Sequence, residues 1–597
     1  MKKERFVLAF FTGCLISAVS LQAQTSKDST KVARSYAINE VVVTGTRSET
    51  DVRHLPMTVS VVGRPQLEAS QQTSVLPVLN SQVPGFFSTS RGVMGYGVAT
   101  GASGQMSLRG IGGPAQAALP TTGLLVLIDG HPQYMGLMGH PIADAYQTMM
   151  AERVEVLRGP ASVLYGSNAM GGVINIVTRK MQEDGIRTNI NIGAGAYGSV
   201  QTEATNRIRK GRFSSTVTAS YNRTDGHRAD MAFEQYGGYA KLGYDFTDNW
   251  KVWGDVNVTR FNATNPGSVM KPYIDNDQRI TRGMTSFALE NHYEKTSGAL
   301  SFFYNWGDHW INYGYQPGGE PLQYRFNSND QMLGVSWYQS IQLFQGNRLT
   351  VGADYFHFGG EAWNQFFDGH RETSADKSLN EVAGYVDFRQ DIAAWLTLDA
   401  GARVDYHSQT GTEFIPQVGL AFHLPENAEI KAMASKGFRN PTIREMYMFP
   451  PQNPDLKPEK LWNYEIGMKY FSSDYKFNLN AALFYIDWED QQIFVMGMMG
   501  PGIKNAGDAH SLGGEMDLRW EFLPNLTYIL SAGYSHAEYY HNLDKSHEGN
   551  RIVMAPEFTG NTGFIYQKAV KTSCFRSFVA STTVTGFGTQ YFDEANL

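Results

Sequence analysis

The chain has 597 residues, a formal net charge of −7 and 13% aromatic residues, among them 31 Tyr and 34 Phe. This mild acidity gives no reason to expect nucleic acid as a partner, and no segment beyond the N-terminal region has the ~18 consecutive apolar residues of a membrane-spanning helix. With 61 Gly, the composition fits either a secreted soluble protein or a membrane β-barrel. The strands of such a barrel alternate apolar and polar residues, so their average hydropathy does not identify them.

Residues 1–24 have the organisation of a secretory signal peptide. A basic start with Lys2, Lys3 and Arg5 precedes an apolar run, and Ala23 is a small residue at a suitable cleavage point. The apolar run is shorter than the ~20 residues that a membrane-spanning helix needs. We therefore expect an exported protein whose mature chain begins with a flexible leader over residues 25–47.

Within that leader stands one short β-prone run, formed by Glu40, Val41, Val42, Val43 and Thr44. Its polar surroundings make it a candidate edge strand, and such a peptide can add to an exposed sheet edge through main-chain hydrogen bonds. The run is therefore predicted to bind a partner protein. The alternative is that it forms the first strand of the domain that follows.

Residues 48–181 are predicted to form a compact domain that mixes helices and strands. Alternating apolar residues indicate strands, and one stretch has helical periodicity. The predicted strands are 58–62, 105–110 and 124–130, and the predicted helix is 65–80. The segment 151–180 is predicted to be strand, turn, short helix, tight turn and strand, because Gly and Pro interrupt two β-prone runs.

From residue 182 to residue 597, segments of about ten residues alternate apolar and polar positions, as expected of strands that span a membrane. In Leu396–His407, Val404 and Tyr406 share an apolar face, whereas Arg403 and Asp405 lie on the opposite face. A soluble sandwich also alternates, but the number of segments favours a barrel, and a sheet in lipid must close. We predict a mainly β protein with a large antiparallel transmembrane β-barrel of about twenty strands.

The segment 151–180, AERVEVLRGPASVLYGSNAMGGVINIVTRK, resembles the end of the plug domain of TonB-dependent outer-membrane receptors. Earlier elements match the same pattern in order and spacing, so the resemblance covers residues 40–180. The matching signature residues are Arg109, Gly110, Asp129, Gly130, Glu155, Arg158, Gly159, Pro160, Tyr165, Gly166, Gly171 and Gly172. Arg153, Glu155 and Arg158 are expected to pair with the barrel wall, because a buried charge needs a partner.

The resemblance implies a barrel of twenty-two strands filled by an N-terminal mixed α/β plug. About twenty candidate strands are present, and the final residues resemble a loop. We therefore expect a fragment that lacks its C-terminus, and a shorter complete barrel is the alternative.

The resemblance also implies a function. Residues 40–44 resemble the TonB box, so the expected partners are TonB with the ExbB/ExbD energy complex, besides outer-membrane lipid and lipopolysaccharide. The expected location is the outer membrane of a Gram-negative bacterium, and the expected role is energy-coupled import. We find no HExxH, no GxSxG and no plausible Cys nucleophile, and we expect no enzyme activity. The alternatives are a passive porin, a barrel-anchored adhesin or enzyme, and a glycan importer.

The family implies a small-molecule metal complex as cargo, with a ferric siderophore as first choice and no permanently bound cofactor. Cobalamin, haem or a copper complex are the alternatives. The segments 437–441 and 453–459 resemble the FRAP and NPDL boxes of haem receptors, but no histidine lies between them. Without that axial ligand, haem is in doubt.

Three plug loops and one aromatic run are predicted to contact the cargo. The run from Trp306 to Tyr315 is expected in a long outer loop, and an aromatic girdle is its alternative. Soft and borderline donors in the loop 131–140 would suit a transition metal, although Met and Tyr also adapt well to irregular packing. The predicted contacts are Arg91, Tyr96, Gln116, His131, Tyr134, Met135, Met138, His140, His309 and Trp310.

Overall fold

The computed structural model describes residues 41–42, 47, 50–51, 55–90, 92–97, 104–112, 123–425, 427–448, 451–497, 500–570 and 577–596. Over these ranges the chain forms a small mixed domain, the plug, and a large antiparallel sheet, the wall. Plug residues make polar contacts with strands early, midway and late in the sequence of the wall. None of the helices in the described ranges has the length and apolar character to cross a membrane.

The plug consists of short strands and short helices. Its strands are β1 (Val41–Val42), β2 (Thr50–Asp51), β3 (Thr58–Gly63), β4 (Phe86–Ser88), β5 (Met106–Leu108), β6 (Leu124–Ile128), β7 (His131–Pro132), β8 (Ala151–Arg158) and β9 (Gly172–Thr178). Its helices are α1 (Arg64–Ser70), α2 (Val75–Gln82) and α3 (Ser162–Tyr165). The main described sheet has the order β3-β8-β9-β6-β7, in which β6 and β9 run parallel.

The predicted helix over 65–80 is two helices, so the prediction of one continuous helix is wrong. α1 has Pro65 in its first turn, where the missing N–H costs nothing, and it ends at Gln71 in a left-handed conformation with φ 54°. The chain then turns before α2 begins at Val75. The turn lets Leu67 and Leu76 both enter the plug core.

The wall is a meander in which nineteen described strands each pair antiparallel with their sequence neighbours. They are β10 (Gly185–Gly195), β11 (Ser199–Lys210), β12 (Phe213–Thr224), β13 (Phe233–Asp245), β14 (Trp250–Thr264), β15 (Ile274–His292), β16 (Thr296–Tyr315), β17 (Tyr324–Ile341), β18 (Asn347–Phe366), β19 (Arg371–Ala393), β20 (Leu396–His407), β21 (Gly411–Leu424), β22 (Ala428–Arg439), β23 (Glu459–Phe471), β24 (Phe477–Gly497), β25 (Gly500–Leu523), β26 (Leu526–Asn542), β27 (Phe558–Ala569) and β28 (Ser577–Phe587). The prediction of a mainly β fold around a mixed plug is confirmed.

The two faces of the wall differ as the alternation predicts. On β20, Val404 and Tyr406 are 52% and 51% exposed, whereas Arg403 and Asp405 are 0% and 1% exposed. The polar face therefore points inward to the plug, and the apolar face points outward, as lipid requires.

The connections divide the wall into two ends. At one end, here called the loop end, β14 and β15 are joined by 265–273 and β22 and β23 by 440–458. At the opposite end, the turn end, connections such as 211–212 and 293–295 are short. In outer-membrane barrels the short turns face the periplasm and the long loops face outward.

Candidate functional site

The predicted partner-binding run lies only partly in the described residues. Val41 and Val42 form β1, which pairs antiparallel with β2, so that Val41 lies opposite Asp51 and Val42 opposite Thr50. Glu40, Val43 and Thr44 lie outside the described residues. Partner binding by this run stays a prediction.

Arg47, just after this run, is anchored between the plug and the wall. Its guanidinium donates a hydrogen bond to the carbonyl of Leu164, lies 4.0 Å from Asp354 Oδ1 on β18, and lies 4.1 Å from the ring centre of Tyr165. Burial disfavours the charge, but Tyr385, Tyr165 and Asp354 outweigh it and raise the pKa of Arg47. The chain that follows the run is thereby fixed to the wall.

The signature residue Arg109 lies at the centre of a buried ionic cluster. Its Nε and Nη2 donate to the two Glu515 oxygens at 3.1 and 2.8 Å, and its Nη1 donates to Glu465. Arg158 Nη1 donates to the same Glu515 carboxylate at 2.9 Å. These four residues, here called the Arg109 cluster, join the plug to β23 and β25.

The charge of Arg109 is maintained by this geometry. Arg109 is 0% exposed, and burial alone would lower its pKa, but Glu465 and Glu515 raise it above its usual value. The Phe484 ring lies under the guanidinium, with 4.6 Å between Cζ and the ring centre. A buried charge needs such partners, because an uncompensated one is strongly destabilising.

Asp129, another signature residue, ties the plug to β13. Its carboxylate accepts hydrogen bonds from the Thr178 N–H at 2.8 Å and from Lys241 Nζ at 2.6 Å. The ammonium lies 3.7 Å from the ring centre of Trp253. Burial would raise the pKa of Asp129, but Lys241 and Thr178 outweigh it and lower the pKa, so the carboxylate stays charged.

The charged residues of segment 151–180 differ in their partners. Arg158 pairs with the wall, as predicted, whereas Arg153 Nε pairs with Glu155 Oε1 at 2.7 Å inside the plug. Gly166, which follows α3, has φ 74°, and a Cβ there would lie 2.8 Å from Arg403 Nη2 on the wall. The turn therefore requires glycine for both its backbone conformation and its close approach to the wall.

The loop predicted to contact cargo, with the residues up to 142, forms what we call the apex segment, residues 131–142. Met135 and Leu137 are 0% exposed and pack in one apolar cluster with wall residues such as Phe303 and Phe356. The N–H of Gly136 donates to Asp330 Oδ1 at 2.9 Å. The apex segment therefore seals against the inner face of the wall mainly by apolar contact.

Both histidines of the apex segment are uncharged at neutral pH, His131 being buried and His140 partly buried. The His131 ring lies between Trp253 and Phe303, at centroid distances of 5.8 and 5.4 Å, and burial lowers its pKa to about 4. The His140 Nδ1 lies 2.9 Å from the Pro141 carbonyl, and burial lowers its pKa to about 4 as well.

The remaining predicted contacts of this segment are also enclosed. Tyr134 packs edge-on against Phe358 with 6.4 Å between ring centres, and burial raises the pKa of Tyr134 well above its usual value. Tyr134 and Met138 are partly buried against the same apolar cluster as Met135. Contact with a cargo stays a prediction for all of these residues.

A loop from the wall folds over the apex segment. The loop 440–458, called the cover loop, contributes Met446 and Met448 to the apolar cluster of Met135, and its Arg444 N–H donates to the Leu137 carbonyl at 3.2 Å. Its base is held by Arg439, which pairs with Glu459 at 2.8 Å. The two boxes that resemble those of haem receptors are thus joined by an ion pair.

The other predicted contact residues are dispersed. Arg91 and Gln116 lie outside the described residues. Tyr96 is 3% exposed and belongs to the plug core, and its backbone N–H donates to Asp144 Oδ1 at 3.0 Å.

The aromatic run from Trp306 to Tyr315 is not a loop, and that prediction is wrong. It forms the loop-end part of β16. Strand geometry places successive side chains on opposite faces, so His309, 4% exposed, points inward, and Trp310 points outward. The two residues do not share one site.

Sequence reasoning missed the wall partners Glu465 and Glu515. Both glutamates are buried and face inward on strands of the wall. The only signal in the sequence was a charged residue at an inward position of each strand. Their partner Arg109 lies 356 and 406 positions away in the sequence. Across the described side chains, no group of three or more His, Cys, Asp or Glu is arranged to hold a metal ion.

Comparison with protein families agrees with this architecture. The TonB-dependent Receptor Plug Domain family matches residues 51–173, and the family of TonB-dependent receptor-like β-barrels matches residues 213–596. The chain belongs to the TonB-dependent receptors. These are receptors and transporters of the outer membrane, so the predicted class and location are confirmed.

Relatives of this receptor include an iron-regulated outer membrane virulence protein of Vibrio cholerae serotype O1, which is 27% identical over 81% of this chain and 72% of its own. The vitamin B12 transporter BtuB of Photobacterium profundum is 23% identical over 78% of this chain and 71% of its own.

Two solved structures share the fold. The ferric yersiniabactin uptake receptor FyuA from Yersinia pestis has a TM-score of 0.72 and 18% identity, covering 91% of this receptor and 88% of its own chain. The siderophore receptor PiuA from Acinetobacter baumannii has a TM-score of 0.74 and 14% identity, covering 92% and 89%.

Proposed function

We propose that this receptor imports a metal complex, most specifically a ferric siderophore, across the outer membrane. The supporting observation is a plug that is fixed inside the wall by the Arg109 cluster and adjoins a β-prone leader run. The named relatives include an iron-regulated protein and siderophore receptors, which favour iron as the metal. In this proposal the metal belongs to the cargo and no cofactor is permanently bound.

The proposed cycle begins at the loop end. Cargo binds where the cover loop meets the apex segment, through residues such as Tyr134, Met138 and His140. Binding favours the state in which residues 40–44 are available in the periplasm, since a ligand shifts conformations only through differential affinity. TonB, driven by ExbB/ExbD, then captures these residues by strand addition. The outer-membrane lipids and lipopolysaccharide surround the wall.

Force applied at residues 40–44 reaches the plug through Arg47, the next described anchor. Arg47 contacts both Leu164 in the plug and Asp354 in the wall. Pulling there loosens α3 and its neighbours before it reaches the Arg109 cluster. The ionic cluster therefore sets how much of the plug must move to let cargo pass.

The test is a growth and uptake assay in a strain that lacks its own copy. Deletion of residues 40–44 is expected to abolish iron uptake while cargo still binds to the cells. Deletion of residues 27–31 in the same leader is the matched control and is expected to leave uptake intact. Uptake that persists without residues 40–44 contradicts the proposal.

Cobalamin is a second candidate cargo, because a relative is a vitamin B12 transporter. The same strain grown on ferric siderophores, haem, cobalamin and copper sources distinguishes these cargoes. Growth restored by ferric siderophores alone supports the iron proposal, and growth restored by cobalamin alone replaces it.

A further inference from the structure

His407 is the last residue of β20 and lies at the loop end of the wall. It occupies an inward position of the strand, in series with Arg403 and Asp405, and is 1% exposed. Its ring stacks on Phe358, with 6.0 Å between ring centres, and Phe358 in turn packs against Tyr134 of the apex segment. His407 is therefore a buried wall residue beside the apex segment.

The turn that follows β20 fixes the tautomer of this histidine. The main-chain N–H groups of Gln409 and Thr410 both donate to His407 Nδ1, at 3.3 and 3.2 Å. A main-chain N–H can only donate, so Nδ1 is the acceptor nitrogen of the ring and the proton is on Nε2. The uncharged ring thus presents an N–H donor at Nε2.

This Nε2 donor is buried and has no hydrogen-bond partner among the described residues. The carboxylate opposite it in the ladder belongs to Glu381 on β19, and it accepts a hydrogen bond from Asn440 Nδ2 at 3.4 Å instead. A buried donor without an acceptor costs free energy, and most buried polar groups in proteins are paired. An unpaired donor that the backbone holds in place therefore indicates an acceptor from outside the chain.

The same turn is attached to the cover loop near both ends of that loop. Thr410 Oγ1 donates to Asn440 Oδ1 at 3.1 Å, and Gln409 Nε2 donates to the Pro454 carbonyl at 3.1 Å. The donor of His407 thus lies at the junction of the cover loop, the wall and the apex segment. Displacement of the cover loop would act directly on the turn that orients the ring.

We propose that His407 is a specificity-determining residue of the cargo site and that its Nε2 donates a hydrogen bond to an oxygen atom of the cargo. Carbonyl, hydroxamate and catecholate oxygens are acceptors of this kind, whereas an apolar ligand face would leave the donor unpaired. A site with such a donor discriminates against ligands that lack the acceptor. The inference rests on the proposed cargo site and adds to it a wall residue that selects oxygen-rich complexes.

Two substitutions separate the two nitrogens of the ring. His407→Asn keeps an acceptor near the position of Nδ1, because Asn side chains accept from the main chain two residues on, and it removes the Nε2 donor. His407→Gln places an amide N–H near the position of Nε2 and removes the acceptor for the turn. The affinity for cargo is expected to fall about tenfold in His407→Asn, the loss of one hydrogen bond, and to be largely kept in His407→Gln.

The probes are a ferric tris-catecholate complex, a ferric trihydroxamate complex and cyanocobalamin, each titrated by calorimetry into the detergent-solubilised full chain. The matched control is His370→Asn, in the connection between β18 and β19 at the loop end, where the histidine side chain is 57% exposed. It is expected to leave the affinity unchanged. Full affinity in His407→Asn, with or without a loss in His407→Gln, shows that the ring serves only the turn and overturns the proposal.

Hydrogen exchange of the Gln409 and Thr410 amides without cargo tests the tautomer and the local fold. Protection is expected to persist in His407→Asn and to fall in His407→Gln, and the reverse order overturns the assignment of the donor and with it the proposal. If the wild type binds cyanocobalamin and neither iron complex, the iron proposal fails, and the order of the two variants with cyanocobalamin still decides the role of His407.

Discussion

The Arg109 cluster and the apex segment both hold the plug against the wall, but with opposite chemistry. At the Arg109 cluster, two plug arginines meet two wall carboxylates that are buried with them. At the apex segment, Met135 and Leu137 pack on aromatic wall residues, and the histidines are uncharged. The ionic contact fixes one orientation of the plug, whereas the apolar contact excludes water at the loop end.

The difference matters for a plug that has to move. Apolar surface can slide over apolar surface at small cost, because the hydrophobic effect is non-directional. Charges in the Arg109 cluster cannot separate without leaving buried ions uncompensated unless water enters with the movement. We therefore expect the ionic region to resist displacement most and the apex segment to yield first.

The largest effect is expected from Arg109→Ala. The change leaves Glu465 and Glu515 buried beside a single remaining arginine, and breaking such a buried pair typically costs about 3–5 kcal/mol. The free energy of unfolding of the plug, followed by denaturant-dependent protease resistance, measures it. Lys476→Ala, which removes an exposed pair with Asp474, is the control and should change little. Equal stability of the two variants would contradict the ionic anchor.

Acidification is expected to loosen the apex segment through His131. Its pKa is about 4 in the folded protein and ~6.5 when exposed, so the unfolded segment binds a proton that the folded one excludes. Stability is therefore complete above pH ~6.5 and declines as the pH falls towards 4, by up to roughly 3 kcal/mol.

Hydrogen exchange of residues 131–142 at pH 7.5, 6 and 5 measures this loss. His131→Phe keeps an aromatic ring between Trp253 and Phe303 and removes the titrating group, so its exchange should depend less on pH. If wild type and variant show the same dependence, another group is responsible.

A smaller effect is expected from Gly136→Ala, which tests the close fit of the apex segment. A Cβ at this position would lie 2.1 Å from the Gln331 carbonyl oxygen of β17, so the segment must move off the wall, at a cost of about 1–3 kcal/mol. Liposome swelling should then reveal passage of small solutes.

The control for that variant is Gly130→Ala. Gly130 has φ +84° and nothing within 4 Å of the added Cβ, so the change strains the backbone by about 1–2 kcal/mol without touching the wall. It should lower stability and admit no solute. Swelling in both variants, or in neither, would show that the contact of Gly136 does not seal the lumen.

Local patterns predicted much of this molecule. The alternation in β20 assigned Arg403 and Asp405 to the interior and Val404 and Tyr406 to the exterior, and the structure agrees, because the two faces meet different solvents. Strands such as β8 and β9 were recognisable because turn-forming Gly and Pro separate them.

The predictions failed where the structure depends on the length of a strand or on contacts between residues far apart in the sequence. β16 continues through Trp306 and Tyr315 beyond the ten or so residues that a bilayer needs, so a membrane-length estimate mistook its end for a loop. Helical periodicity over 65–80 did not reveal the turn at Gln71. No local sequence pattern indicates that Arg109 pairs with Glu465 and Glu515, because that contact depends on the arrangement of the complete wall around the plug.

The meander order of the wall has a consequence for how the molecule assembles. Each wall strand pairs with its sequence neighbour, so the sheet can grow hairpin by hairpin with little loop-closure entropy at each step. The Arg109 cluster instead joins residues 356 and 406 positions apart, and its ion pairs form only after β23 and β25 have been added. A plug enclosed in the wrong orientation would leave these carboxylates buried and unpaired, which is strongly destabilising. The cluster therefore favours the correctly oriented plug at a late step of assembly.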